Sequence, residues 1–228
     1  MRRVFICTLA ILLLTTITAF SQQRDIPQYS VIGGYSYLAA PSLNLAFRGF
    51  NGDVARNVRP WLSIGFDFST FSGHNTIVSS YLNSDTQTKL KTLLPRGVPL
   101  SVVTVPADMS LMTYQFGPQL NYRRMRKFTL FMRPALGLLH AKAQTNPAPA
   151  TTKLVGSLLG GKLSSADNAV FYGVGGGATW EMHRNFGLRF SIDLARFDMF
   201  PDLLNGSRNA VRFSITTKYG FGKNILAR

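Results

Sequence analysis

Apolar and polar residues alternate in one segment of the chain after another. From Ala210 to Gly222 one parity holds Val211, Phe213, Ile215, Thr217, Tyr219 and Phe221, and the other holds Arg212, Ser214, Thr216, Lys218 and Gly220. A period of two places these sets on opposite faces of a β-strand. Between Leu111 and Tyr122, Met112, Tyr114, Phe116, Pro118, Leu120 and Tyr122 oppose Thr113, Gln115, Gly117, Gln119 and Asn121. After Trp61, Leu62, Ile64, Phe66 and Phe68 oppose Ser63, Gly65, Asp67 and Ser69. The segments from Phe171 to Met182 and from Phe186 to Phe197 sort in the same way, and weaker alternation runs over Tyr29 to Leu38, Gly49 to Val58 and Phe128 to His140. The pattern predicts eight strands of about 9 to 13 residues.

The connections differ in kind. Those after strands two, four and six are short and basic and carry Arg56 and Arg59, then Arg123, Arg124, Arg126 and Lys127, then Arg184. Those after strands three and five are long, Ser72 to Met109 and Gln144 to Asn168, and Asp198 to Asn209 is of medium length. The first connection, Ala39 to Ser42, leads into a ragged stretch from Leu43 to Arg48. Within the first of these long connections, Ser84-Asp85-Thr86-Gln87 has the form of a capping box, and Leu90, Leu93 and Leu94 follow at helical spacing before Pro95. A short helix from Asp85 to Leu94 is expected there, with Lys89 and Lys91 on its wetter side, and Val98 to Val105 is expected to extend a strand.

Two architectures use such strands. A soluble sandwich or lipocalin-like barrel would turn its polar parity to water, where Lys and Glu should dominate. A transmembrane barrel turns its apolar parity to lipid and packs the other into a narrow lumen. Here the polar parity is mostly Gly, Ser, Thr, Asn and Gln, which suits crowded opposing walls. Strand length agrees, since a tilted spanning strand needs about 9 to 11 residues. Short turns alternating with long loops are the arrangement of outer-membrane barrels, and Tyr29, Trp61, Tyr122, Trp180 and Tyr219 near strand ends fit interfacial girdles.

The first residues carry an address. Met1-Arg2-Arg3 followed by an apolar run from Val4 to Ala19, with Ala19 and Ser21 placed for cleavage before Gln22, reads as a secretory signal peptide over 1–21, leaving 22–228 as the barrel. The run falls short of the ~20 residues of a spanning helix. Cys7, the single cysteine, leaves with the leader, so no disulfide framework exists. The 228 residues hold 25 Lys and Arg against 10 Asp and Glu. Such a balance asks for an acidic partner. Export and the lack of any recognition motif argue against nucleic acid, and membrane lipids with lipopolysaccharide phosphates take that place. Lys89, Lys91, Arg96, Lys153 and Lys162 would lie on the outer side, and the basic turns on the periplasmic side.

Several stretches resemble the eight-stranded outer-membrane β-barrels of the OmpA-like transmembrane type, in their barrel-only form. They are Arg59 to Ser69, Tyr114 to Arg123, Gly173 to Gly177, Leu188 to Asp193 and Val211 to Gly222, including Phe116-Gly-Pro118 before a basic turn and Arg189 four residues ahead of Asp193. The resemblance implies an all-β, antiparallel up-and-down transmembrane barrel of a Gram-negative outer membrane, inserted by the barrel-assembly machinery and monomeric. One departure is that Phe221 is followed by Gly222 to Arg228 rather than ending the chain.

An eight-stranded barrel is just filled by side chains. Its inward parity collects Asp53, Asp67, Arg189, Asp193, Arg212 and Lys218, with Glu181 near the periplasmic rim. Charges so confined must pair, which predicts a cross-strand cluster of Arg189, Asp193 and Arg212 with Asp53 or Asp67 that plugs the lumen. A structural or surface-interaction role follows, with a narrow ion or small-solute channel as the competing class. A lipid hydrolase would need His and Ser on one strand face near the outer rim. His74 and His140 are at that end and His183 is not, and no His-x-Ser or comparable pairing on one face is expected. No cofactor or metal site is expected, because the mature chain lacks cysteine and any His-x-x-x-His spacing. The glycines between Gly173 and Gly177 fall inside a strand, where they relieve crowding rather than cradle phosphate.

Overall fold

A computed structural model of the chain describes residues 25–94, 99, 104–145, 164–200 and 208–226. The expected leader, Arg96, Lys153, Lys162 and much of the long connections lie outside the described residues. Eight strands form one closed, wholly antiparallel barrel in sequence order. They are β1 (Pro27–Ala40), β2 (Leu45–Arg59), β3 (Leu62–Val78), β4 (Thr104–Tyr122), β5 (Phe128–Thr145), β6 (Ser164–Glu181), β7 (Phe186–Phe197) and β8 (Arg208–Asn224). β8 closes on β1 through pairs such as Ile32 with Lys218 and Tyr37 with Phe213. Closure leaves no edge strand to template aggregation.

β7 keeps the expected bounds, Phe186–Phe197, and the other strands run to as many as 19 residues, longer than the alternation indicates. β3 and β4 stay paired up to Val78 with Thr104, through residues expected to lie in the connection beginning at Ser72. Past Phe71 the sequence Ser-Gly-His-Asn-Thr is polar on both faces, so pairing continues where the apolar signal stops. The first connection likewise shrinks to a 3-10 turn, Pro41–Leu43, closed by Asn44 at positive φ, and the ragged stretch after it belongs to β2. The expected helix is present as α1, Ser84–Leu93. Its cap is Asn83, whose Oδ1 accepts from the Thr86 backbone N–H at 2.8 Å, rather than the predicted Ser84. Gln87 turns back to donate to the Leu82 carbonyl.

The outer surface is apolar and the interior is filled. Phe50 and Phe116 are each 66% exposed, and Leu136, Leu138, Val170 and Ile215 also face outward. That inverts the usual distribution for a soluble protein, in which an exposed apolar patch larger than a few hundred Å² marks an interaction surface. Pairs of outward rings interlock along the wall, Tyr35 with Phe50 and Phe68 with Tyr114. At the turn end Tyr29 stacks on Phe221 at 5.6 Å. Beyond Phe221 the chain turns through Gly222, whose φ of 91° suits a residue without Cβ. Asn224 then donates to Asp25 and accepts from the Ile26 backbone, fastening the end of β8 beside the start of β1.

Candidate functional site: a layered barrel interior

The inward parity builds three layers. At mid-height Asp53 on β2 and Asp67 on β3 are register partners, so two carboxylates stand directly opposite each other. Like charges in that position repel, and Arg133 on β5 reaches across the lumen to both. Its Nη1 lies 3.1 Å from Asp53 Oδ2, its Nη2 3.2 Å from Asp67 Oδ2, and its Nε 3.2 Å from Asp193 Oδ1. Arg212 on β8 takes the remaining oxygens, at 2.9 Å from Asp67 Oδ1 and 2.9 Å from Asp193 Oδ2, and also donates to Ser69. Two guanidiniums and three carboxylates from five strands thus form one buried network, in which Asp53 Oδ1 is left without a partner. Fork-shaped donors are suited to bridging several carboxylates at once.

Arg133 was absent from the predicted cluster. Its strand blurs the alternation, because Phe131 and Leu139 sit on the inward parity among outward Leu130, Met132, Leu136 and Leu138. A charged residue isolated in so apolar a segment was the available signal. Arg189, predicted within the cluster, stands apart from it. Its guanidinium lies 3.5 Å from the centre of the Phe131 ring and donates to Gln119 Oε1. Lys218 also lies outside the central network and pairs with Glu181 at 2.6 Å.

The layer toward the turn end is a neutral hydrogen-bond chain. Gln119 donates to Asn121, Asn121 to Ser63, Ser63 to Asn57, and Asn57 to the Pro27 carbonyl. Arg123 folds back over this mouth and donates to the Asn57 side chain and the Pro60 carbonyl. Burial pushes its guanidinium below the ordinary arginine value, with Glu181 pulling the other way. Of the other basic turn residues, Arg56, Arg59, Arg124, Arg126 and Lys127 are exposed, and Arg184 meets Asp25 at 3.3 Å.

The layer toward the loop end is apolar, in contrast to the expected polar lumen. Leu38, Phe47, Phe71, Leu111, Leu139, Phe171 and Phe197 fill it, roofed by Leu43, Met199 and Phe200. These residues lie on the inward parity of their strands, beyond the stretches where alternation is clean. Between this layer and the ion network is a void of about 30 Å³, room for no more than one or two waters. The glycines of β6 make the crowding possible. A Cβ on Gly175 would lie 1.7 Å from Asp193 Oδ1, and one on Gly177 would lie 2.9 Å from the Phe131 ring.

At the loop end the histidines face outward. His74 Nδ1 meets Asp108 Oδ1 at 2.5 Å across β3 and β4, and His140 meets Asn168 at 2.7 Å. Because β3 continues to Val78, Ser72 and His74 share one strand face, a pairing not expected from the sequence. No hydrogen bond joins the two among the described residues, so the base a serine nucleophile needs is turned to Asp108 instead. Among the described residues no three His, Asp or Glu side chains converge as metal ligands.

No protein-family model matches the sequence, and no curated protein aligns with it. Solved structures do match. Neisserial surface protein A superposes with a TM-score of 0.50 at 10% identity over 85% of this chain and 96% of its own. The outer membrane protein OprG of Pseudomonas aeruginosa gives 0.50 at 9% identity over 89% and 100%. The attachment invasion locus protein Ail of Yersinia pestis gives 0.49 at 17% identity over 85% and 97%. At such identities the likeness is one of fold, and that fold is the eight-stranded outer-membrane β-barrel.

Proposed function

We propose that the chain is an integral outer-membrane protein with a structural or surface-interaction role, exported behind a cleaved leader over residues 1–21 and inserted by the barrel-assembly machinery as a monomer. The observation that carries this reading is the pairing of an apolar outer wall with an interior sealed twice, by the Arg133–Arg212 ion network and by the Phe47–Phe71–Phe171 layer above it. The wall is a surface for lipid, and the filled interior leaves binding work to the outer face and the loops. No catalytic role is assigned to any residue.

The competing reading, a narrow channel, draws on one feature. The β4–β5 pairing is interrupted between Gln115–Gly137 and Leu120–Met132, beside Pro118 and Pro134. The gap is closed by Gln115, which donates to the Pro134 carbonyl at 3.1 Å, and the space there is about 10 Å³, at the lower limit for one water. Membrane fractionation with heat-modifiable gel mobility tests the main reading, and a soluble periplasmic protein would end it. In planar bilayers the purified barrel should be silent, and Arg133→Ala should remain so because the apolar layer still seals the lumen. Steady conductance of the parent chain would favour the channel.

A further inference from the structure

One face of the outer wall departs from the apolar belt. Arg48 on β2 is the register partner of Ser72 on β3, Ser72 of Ser110 on β4, and Ser110 of Lys142 on β5. Four strands thus carry a single row in which two cations flank two small hydroxyls, all on the exposed parity. The His74–Asp108 pair and Gln144 form the next outward row. Together they enclose a groove of about 730 Å³. Asp108 is engaged by His74, whereas Arg48 and Lys142 have no ion-pair partner among the described residues.

The groove has a definite height. Ser72 is ten residues beyond Leu62, the first residue of β3. At a rise of ~3.3 Å per residue and a tilt of ~40°, that is about 25 Å, the height of the apolar band of such barrels. The row therefore begins where the band ends. It also climbs. Four strands spaced ~4.8 Å apart span about 14 Å, and the same tilt lifts one end of the row about 9 Å above the other. Lys142 is the higher end, fourteen residues beyond Phe128 at the start of β5, while Arg48 is eleven residues from Arg59 at the end of β2. Immediately below lie Phe50, Thr70, Met112 and His140, followed by Gly52, Phe68, Tyr114 and Leu138.

The geometry points to a site for the phosphate-bearing headgroup of a membrane glycolipid on the outer wall of β2–β5, held by Arg48 and Lys142 over the hydroxyls of Ser72 and Ser110. Charge complementarity selects an anion, and the two guanidinium-and-ammonium ends can close on phosphate oxygens with charge-assisted hydrogen bonds. Below a mixed row of Phe50, Thr70, Met112 and His140, the apolar wall of Phe68, Tyr114 and Leu138 selects an anion that carries acyl chains. The height the row covers suits a bulky sugar headgroup better than a compact one. This inference rests on the membrane-embedded reading above and names one partner for its surface.

The test uses the whole chain folded in detergent, with heat-modifiable mobility as an independent check, incubated with diphosphoryl lipid A and examined by native mass spectrometry. One lipid per barrel should be retained, and Arg48→Ser combined with Lys142→Ser should lower the bound fraction about tenfold or more while mobility is unchanged. Equal retention by parent and double variant, or equal retention of dephosphorylated lipid A, overturns the inference. Displacement by millimolar inorganic phosphate overturns it too, since the site would then serve a soluble anion. A chain that never acquires heat-modifiable mobility refutes the embedded barrel as well, whereas a folded barrel that retains no lipid refutes the lipid site alone.

Discussion

Arg133 links three aspartates that would otherwise destabilise one another, since Asp53 and Asp67 face each other across adjacent strands. Removing one partner from a buried ion network leaves charges uncompensated, at a cost of about 3–5 kcal/mol. Arg133→Met should lower barrel stability by that amount in urea unfolding from lipid vesicles followed by tryptophan fluorescence. Arg124→Met, at an exposed turn, should stay within about 0.5 kcal/mol of the parent in the same assay. Gly175→Ala tests the network from β6, where Gly175 is the register partner of both Arg133 and Asp193. Its Cβ would displace the Asp193 carboxylate from both arginines, and overpacking of this kind costs about 1–3 kcal/mol. An unchanged unfolding midpoint for Gly175→Ala would show that the carboxylate has room to spare.

The strands were legible wherever one face meets an apolar exterior and the other a polar interior, as in Leu62–Ser69 or Val211–Gly222. They were illegible where that contrast disappears. In the upper lumen both faces are apolar, as around Leu139 and Phe171, and above the belt both are polar, as at Ser72 to Thr76. The first condition concealed the hydrophobic layer. The second concealed the outer groove, whose Ser72, His74 and Asp108 were assigned to a loop and Arg48 to the ragged stretch before strand two. α1 was legible by its leucine spacing, but its start was displaced by one residue because Ser84 and Asn83 are both competent caps and only the fold selects between them. Asn83→Ala should therefore weaken α1 by about 0.5–2 kcal/mol. Faster amide exchange at Thr86, with the barrel's unfolding midpoint unmoved, is the expected signature.

For the molecule as a whole, the two tryptophans report placement. Trp61, in the β2–β3 turn, and Trp180, near the end of β6, are both exposed at the same end of the barrel. In vesicles, lipids brominated near the headgroup should quench both more strongly than lipids brominated near the chain ends. Stronger quenching from the chain ends would shift the embedded band toward the turns. The sequence conveys the number of strands and the sense of the wall because both are repeated along its length. The depth of each layer is set by which strands meet across the lumen, and that is not repeated anywhere.

The closure of β8 on β1 brings Ile26 and Asn224 into hydrogen-bond contact although they lie 198 positions apart. In a ring of nearest-neighbour pairs the place where the chain starts has no energetic privilege, and the ends already lie side by side. A gene whose reading frame joins these ends through a short linker and opens within the β3–β4 connection should yield the same ladder in a new order. A chain that stops before β8 would instead expose two unpaired edges at once. Rearrangement of the ring is thus open to evolution and to engineering, while shortening it by one strand is not.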